Sequence, residues 1–143
     1  DMLLDVYEKS RAEGFGPEIK RRILLGTHVL SSGYYDAYYG KAELTRKKMR
    51  EELDSAFSKV DIILTPTAPT PAFILGEKED PLAMYRQDIF TVPVNLAGVP
   101  ALTFPMGTVE REGKPLPVGV QYIGPHSGDE RLFAAGKAIY DAR

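Results

Sequence analysis

Asp88 sits on an apolar stretch opened by Pro81 and continued by Leu82, Met84, Tyr85, Ile89 and Phe90. A carboxylate buried there without a partner is costly. Asp88 is therefore either a contact for a ligand or a side chain turned to solvent. Seven residues later, Asn95 lies inside Thr91-Val-Pro-Val-Asn-Leu-Ala-Gly-Val-Pro-Ala-Leu-Thr-Phe-Pro-Met-Gly107, an apolar run broken by three prolines and two glycines. Proline removes a donor and glycine permits close backbone approach, so the run reads as a buried turn between a helix ending near Phe90 and a strand at Ala101. The Asn95 amide either satisfies backbone groups left without ladder partners or lines a pocket beyond the strand ends.

Other reactive side chains are sparse. The chain has no cysteine, which excludes a thiol nucleophile, a disulfide framework and thiolate metal sites. Ser31-Ser32-Gly33 holds the only serine pair and reads as a helix end. His28, within a helix, reads as packing, and His126 as part of a surface loop, Gly124-Pro-His-Ser-Gly128. Two histidines so separated, without carboxylates at matching spacing, do not predict a metal site. A formal net charge of -2 gives no basic footprint for nucleic acid. No apolar run approaches the ~18 residues of a membrane span, and the first residues lack a signal pattern. Cytoplasm is the default compartment.

These residues need elements to hold them. At 143 residues the chain fits one domain with a sizeable core. A helix over residues 2–13 ends at Gly14-Phe-Gly16, and Pro17 opens a second, with Ile19, Ile23, Leu24, Thr27 and Leu30 at helical spacing. A third is predicted from Tyr34 to Val60, with Leu44, Met49, Leu53 and Phe57 on one face and charged residues one turn apart on another. Four tyrosines in Tyr34–Tyr39 predict that some rings are buried with a hydroxyl partner. Asp61–Thr65, Ala101–Phe104 and Pro117–Gly124 read as short strands, with a turn at Gly113-Lys-Pro115. A helix from Pro81 is expected to break at Pro93. A last helix, from Asp129 to Arg143, should turn Leu132, Phe133, Gly136, Ile139 and Tyr140 inward. Helices packed around short buried strands give an α/β fold with a mixed sheet.

Gly14-Phe-Gly-Pro-Glu-Ile-Lys-Arg-Arg-Ile-Leu-Leu-Gly-Thr27, Leu30-Ser-Ser-Gly-Tyr-Tyr-Asp-Ala-Tyr-Tyr39, Thr65-Pro-Thr-Ala-Pro-Thr70, Asp88-Ile-Phe-Thr-Val-Pro-Val-Asn-Leu-Ala-Gly98 and Leu116-Pro-Val-Gly-Val-Gln-Tyr-Ile-Gly124 occur in that order. Together they closely resemble the C-terminal part of the A subunits of the glutamyl-tRNA(Gln)/aspartyl-tRNA(Asn) amidotransferases, a family of amidase-signature enzymes. The resemblance implies a C-terminal portion of the amidase-signature fold. It also implies a full-length subunit that hydrolyses glutamine to glutamate and ammonia. The B and C partner subunits complete the enzyme, ATP and Mg act at the partner, and tRNA is reached through that partner.

By position in the family pattern, Arg22 matches the arginine expected at the substrate α-carboxylate and Asp88 the residue expected at its α-ammonium, with Arg21 the less favoured alternative to Arg22. Asn95 and Arg21 are otherwise pocket-lining or structural. The family's serine nucleophile, second serine and lysine lie in a glycine- and serine-rich signature that this sequence does not contain. The fragment alone is thus expected to be inactive. Two alternatives stand beside this reading: a fragment of another small-amide amidase, and a non-catalytic scaffold or binding module. In the family these strands belong to a larger sheet, so the isolated chain is expected to self-associate. Light scattering across a concentration series checks this: mass should rise with concentration, and a constant monomer mass would contradict it.

Overall fold

The computed structural model describes residues 2–31, 34–77 and 80–142. The chain divides into two compact units, Asp1–Thr45 and Arg46–Arg143.

In the first unit, α1 spans Met2–Gly14 and α2 spans Pro17–Val29. Gly16 is extended and Pro17 occupies the first turn of α2, where the missing N–H costs nothing. Lys20 Nζ donates to Ala12 O at 2.8 Å, satisfying one of the carbonyls left open at the end of α1. Leu30 caps α2, and Ser31 Oγ donates to His28 O at 2.6 Å. Ser32 and Gly33, the rest of the predicted helix end, lie outside the described residues.

The long third helix is interrupted at its start. Tyr35–Gly40 forms a π-helical turn, and α3 runs over Lys41–Phe57. The tyrosines here are exposed, contrary to the expectation of buried hydroxyls. They cover one another instead, Tyr34 against Tyr38 at 5.9 Å and Tyr35 against Tyr39 at 4.9 Å between ring centroids. One helical turn of separation brings the rings together without a core to receive them.

The second unit holds the sheet. Its strands are β1 (Ile63–Pro66), β2 (Ala101–Arg111) and β3 (Lys114–Ile123), in the order β1-β3-β2. The helices and sheet of the expected α/β fold are present. The pairings among these strands are all antiparallel, so the mixed character is not displayed among the described residues. Both β2 and β3 extend well beyond the predicted spans because they form one hairpin, closed by Glu112 (φ 52) and Gly113 (φ 73). Successive positive φ values define the tight turn that matches strand twist, and glycine suits the second position.

Prolines in this sheet sit where no ladder bond is lost. Pro105 lies on edge strand β2, next to the irregularity at Met106. Pro115 and Pro117 lie on β3 beyond the reach of β1, which pairs only from Val120 to Ile123.

The interrupted apolar run is organised differently from the buried turn predicted for it. Pro93 does not break a helix; it lies in the first turn of α5 (Val92–Ala97). Gly98 closes α5 in the left-handed region (φ 72, ψ 32), donating to Val94 O at 3.1 Å. The helix ahead of it is short: α4 spans Pro81–Tyr85, with both oxygens of Asp80 accepting from Leu82 N and Ala83 N at 3.2 Å, and a 3-10 turn follows at Arg86–Asp88.

Val94, Ala97, Val99 and Ile123 form the core cluster, with Leu53, Phe57 and Ile63 packed on it. Thus α3 and α5 cover the sheet face that carries Ile63 and Ile123. On the opposite face, α6 (Asp129–Asp141) lies against Leu102 and Phe104 of β2, and Phe104 meets Tyr122 edge-on at 5.5 Å.

Burial is more limited than the chain length predicted. Six hydrophobic side chains are buried among the described residues. On α6, Leu132 and Gly136 face in, whereas Phe133 (65% exposed) and Tyr140 (72%) face out. Positions 132, 136 and 139 share one helix face, and 133 and 140 lie toward its flank. Leu44, placed on the apolar face of α3 by its spacing, is also exposed.

A Cβ on Gly136 would overlap Phe104 Cζ and crowd Leu102 Cδ2. Gly136→Ala gains roughly 1 kcal/mol in helix propensity but should cost about 1–3 kcal/mol in overpacking, a net loss read as a lower urea midpoint. An unchanged or higher midpoint would show that α6 is not seated on β2 in this way.

Candidate functional site

Asp88 ends the 3-10 turn, and its position is set by backbone and neighbours. Its carbonyl accepts from Thr91 N at 3.1 Å and from Thr91 Oγ1 at 3.3 Å. Before it, Gln87 Oε1 accepts from Thr70 Oγ1 at 2.8 Å. After it, Phe90 O accepts from Gln121 Nε2 at 2.9 Å. The Asp88 side chain is exposed, and its carboxylate forms no ion pair among the described residues. The segment is fixed while the charge stays open to solvent.

Gln121 is the residue that sequence reasoning missed. It is 3% exposed, the one polar residue buried as a whole among the described residues, and it also donates to Thr65 Oγ1 at 3.1 Å. Thr65 is its direct cross-strand partner on β1, and Thr103 is its partner on β2. A glutamine among Val-Gly-Val-Gln-Tyr-Ile was the signal in the sequence, because an amide in a central strand needs partners on the covered face.

Asn95 takes a smaller part. It is exposed on α5, and its Nδ2 donates to Thr91 O, one turn back, at 2.9 Å. Buried backbone satisfaction, the role considered for Asn95, is carried out at Phe90 O by Gln121.

Arg22 and Arg21 lie on α2 in the first unit. Arg22 Nε donates to Glu18 Oε1 at 2.9 Å, and Arg21 Nη1 donates to Glu18 Oε2 at 2.8 Å. One carboxylate thus engages both guanidinium groups on an exposed surface, where such pairs are worth about 0–1 kcal/mol each. His28 packs its ring against Tyr34 at 4.3 Å, and His126 Nδ1 lies 3.1 Å from Gly98 O.

A groove of about 770 Å³ runs beside β1 and the hairpin, lined by residues that include Thr67, Pro69, Thr103, Met106 and Gly119. Its walls are largely apolar. Thr67 N donates to Gly119 O at 3.1 Å, which continues the β1–β3 pairing past Pro66. Thr67 Oγ1 is buried without a hydrogen-bond partner among the described residues, and a side chain at Gly119 would press on it. The far end of the hairpin is tied down by Arg111, whose Nη2 donates to Glu77 Oε1 at 2.8 Å and whose Nη1 donates to Ala72 O at 3.3 Å. The hydrogen bond and charge of Glu77 raise the Arg111 pKa further above its ordinary range. A raised folded value favours folding below the ordinary arginine range and is lost only above it, so this guanidinium adds no pH dependence near neutrality.

The sequence profile of the family described as Amidase matches residues 1–133. The chain belongs to the amidase family. It is 54% identical over 141 residues to the A subunit of the glutamyl-tRNA(Gln) amidotransferase of Parvibaculum lavamentivorans, covering 98% of this chain and 28% of that protein. It is 57% identical over 138 residues to the corresponding A subunit of Geotalea daltonii, covering 96% of this chain and 28% of the relative. Among solved structures, the glutamyl-tRNA(Gln) amidotransferase A subunit from Thermotoga maritima aligns with a TM-score of 0.63 at 46% identity, over 87% of this chain and 27% of that one. A crystal structure described as an amidase aligns with a TM-score of 0.69 at 30% identity, over 94% of this chain and 30% of its own. The resemblance to A-subunit sequences thus holds, and the chain spans a little over a quarter of the length of these relatives.

Within this amidase-family chain, the orphan hydroxyl at Thr67 gives a direct check on the groove. Thr67→Val keeps the shape and removes the unpaired donor. It should leave stability unchanged or raise it by about 1–2 kcal/mol in urea denaturation. A clear loss would mean that Thr67 Oγ1 has a partner.

Proposed function

We propose that this chain is the substrate-binding portion of the glutamine-hydrolysing subunit of an amidotransferase. Identity above one half over nearly the whole chain with proteins named as A subunits of glutamyl-tRNA(Gln) amidotransferase carries this reading. In it, the full-length subunit releases ammonia from glutamine, a glutaminase reaction. The B and C partner subunits complete the enzyme. ATP and Mg act at the partner, and the ammonia amidates Glu-tRNA(Gln) or Asp-tRNA(Asn) in the cytoplasm. This chain by itself supplies no nucleophile of the family's serine type and does not turn over alone.

Asp88 takes the α-ammonium of glutamine and Arg22 its α-carboxylate. Two properties support Asp88: its carboxylate is exposed, and the backbone beneath it is tethered on both sides. An ammonium needs an unspent acceptor, and a fixed acceptor loses less entropy on binding. Arg22 supplies a planar fork suited to a carboxylate. To receive substrate, it exchanges its present Glu18 contact for the ligand's carboxylate, a swap of two charge-assisted bonds of similar kind. The exposed apolar side chains, among them Leu24, Leu75 and Phe133, are in this reading covered by the remainder of the full-length subunit and its partners.

The test uses the full-length protein assembled with its partners. Asp88→Asn and Arg22→Lys should each raise the glutamine KM by about tenfold or more, since a hydrogen bond to a charge is worth about 1.5–3 kcal/mol. Arg21→Lys should leave it within about twofold, as expected for a surface pair. Unchanged glutamine KM in both Asp88→Asn and Arg22→Lys sinks the assignment, and a loss confined to Arg21→Lys transfers the role to that residue.

A further inference from the structure

We propose that Gln121 is a positioning residue for substrate binding, holding the backbone on which the Asp88 carboxylate stands; this rests on the reading of Asp88 as the ammonium contact. Gln121 lies on the central strand and is buried at 3% exposure. Both hydrogens of its side-chain nitrogen are used, one on Thr65 Oγ1 and one on Phe90 O. The first bond orients the amide from the neighbouring strand. The second reaches out of the sheet to the main chain two residues past Asp88.

Packing alone does not call for this arrangement. A methionine would fill the same space without burying an amide, and a buried amide stabilises only when its bonds are made. Thr70 holds Gln87 on the other side of Asp88, so residues 87–90 are pinned at both ends by side chains outside the helical segment. Both tethers involve the Thr65–Thr70 stretch, Thr70 directly and Thr65 through Gln121. Asp88 has no side-chain partner of its own to orient it among the described residues, so its place depends on the backbone. An acceptor aimed at a small cation loses most of its selectivity when displaced by about 1 Å.

The experiment uses the full-length protein in its assembled complex and two ligands. Glutamine has the α-ammonium; glutaramate keeps the amide and carboxylate but lacks it. In Gln121→Met, the glutamine KM should rise about tenfold with kcat within about twofold, while the inhibition constant of glutaramate stays unchanged. Asp88→Asn should give the same selective pattern. Should Gln121→Met fail to fold, Thr65→Val, which frees the amide from one anchor, should shift the glutamine KM about threefold in the same direction, again without moving glutaramate.

Equal weakening of both ligands in Gln121→Met, or no change in either, overturns the positioning role. If Asp88→Asn is selective and Gln121→Met is not, that role alone falls. If Asp88→Asn is itself unselective, the ammonium assignment fails and the inference goes with it.

Discussion

The amide of Gln121 is bonded in two directions, and the arrangement around Asp88 depends on those bonds. One reaches across the sheet to Thr65 and the other to the main chain at Phe90. A single planar group therefore ties the main chain between the 3-10 turn and α5 to the central strand. Without it, a backbone carbonyl and a strand hydroxyl on the covered face would lose their donor, in surroundings where an unpaired polar group costs about 1–3 kcal/mol. The small apolar cluster of Val94, Ala97, Val99 and Ile123 closes the same layer. Polar and apolar contacts thus reinforce one placement of the helical segment.

The sheet that carries Gln121 is built to leave one end open. β1 pairs with only the last four residues of β3, and the hairpin continues beyond it. The proline-rich stretch after β1 keeps one further bond to β3, Thr67 N to Gly119 O, and the largely apolar groove lies between this stretch and the hairpin. Proline makes this stretch stiff, while Arg111 holds the hairpin to Glu77 and Ala72. The small number of buried side chains accords with a chain that spans little more than a quarter of its relatives' length.

Much of the local structure could be read from residue order. Helix starts at Pro17 and Pro81, the closure of α1 at glycine, the hairpin turn at Gly113 and the existence of three strands follow from fixed φ values, donor loss and alternation. The errors share one cause. Pro93 was expected to end a helix and instead begins one, because proline is equally at home in a first turn and the flanking contacts choose between the two. The tyrosine cluster was expected to be buried, but rings one turn apart satisfy one another at the surface. Phe133 and Tyr140 looked inward-facing by type, yet the helix face is chosen by the fit of Gly136 on Phe104, which type cannot reveal.

Sequence alone determined the family pattern, the chemistry on offer and the local punctuation, since these depend on side-chain type and on torsions within a few residues. Only through its resemblance to the family did it point to Arg22 and Asp88 as the cation and anion expected at the two ends of an amino acid. Tertiary structure decided which buried amide is spent and on what: Gln121 meets Thr65 from 56 positions away and Phe90 from 31 away. It also decided that Asn95, the more conspicuous amide, donates one turn back to Thr91 O. A hydrogen bond needs its partners within about 3 Å, and for residues so distant in the chain only the folded backbone brings them that close.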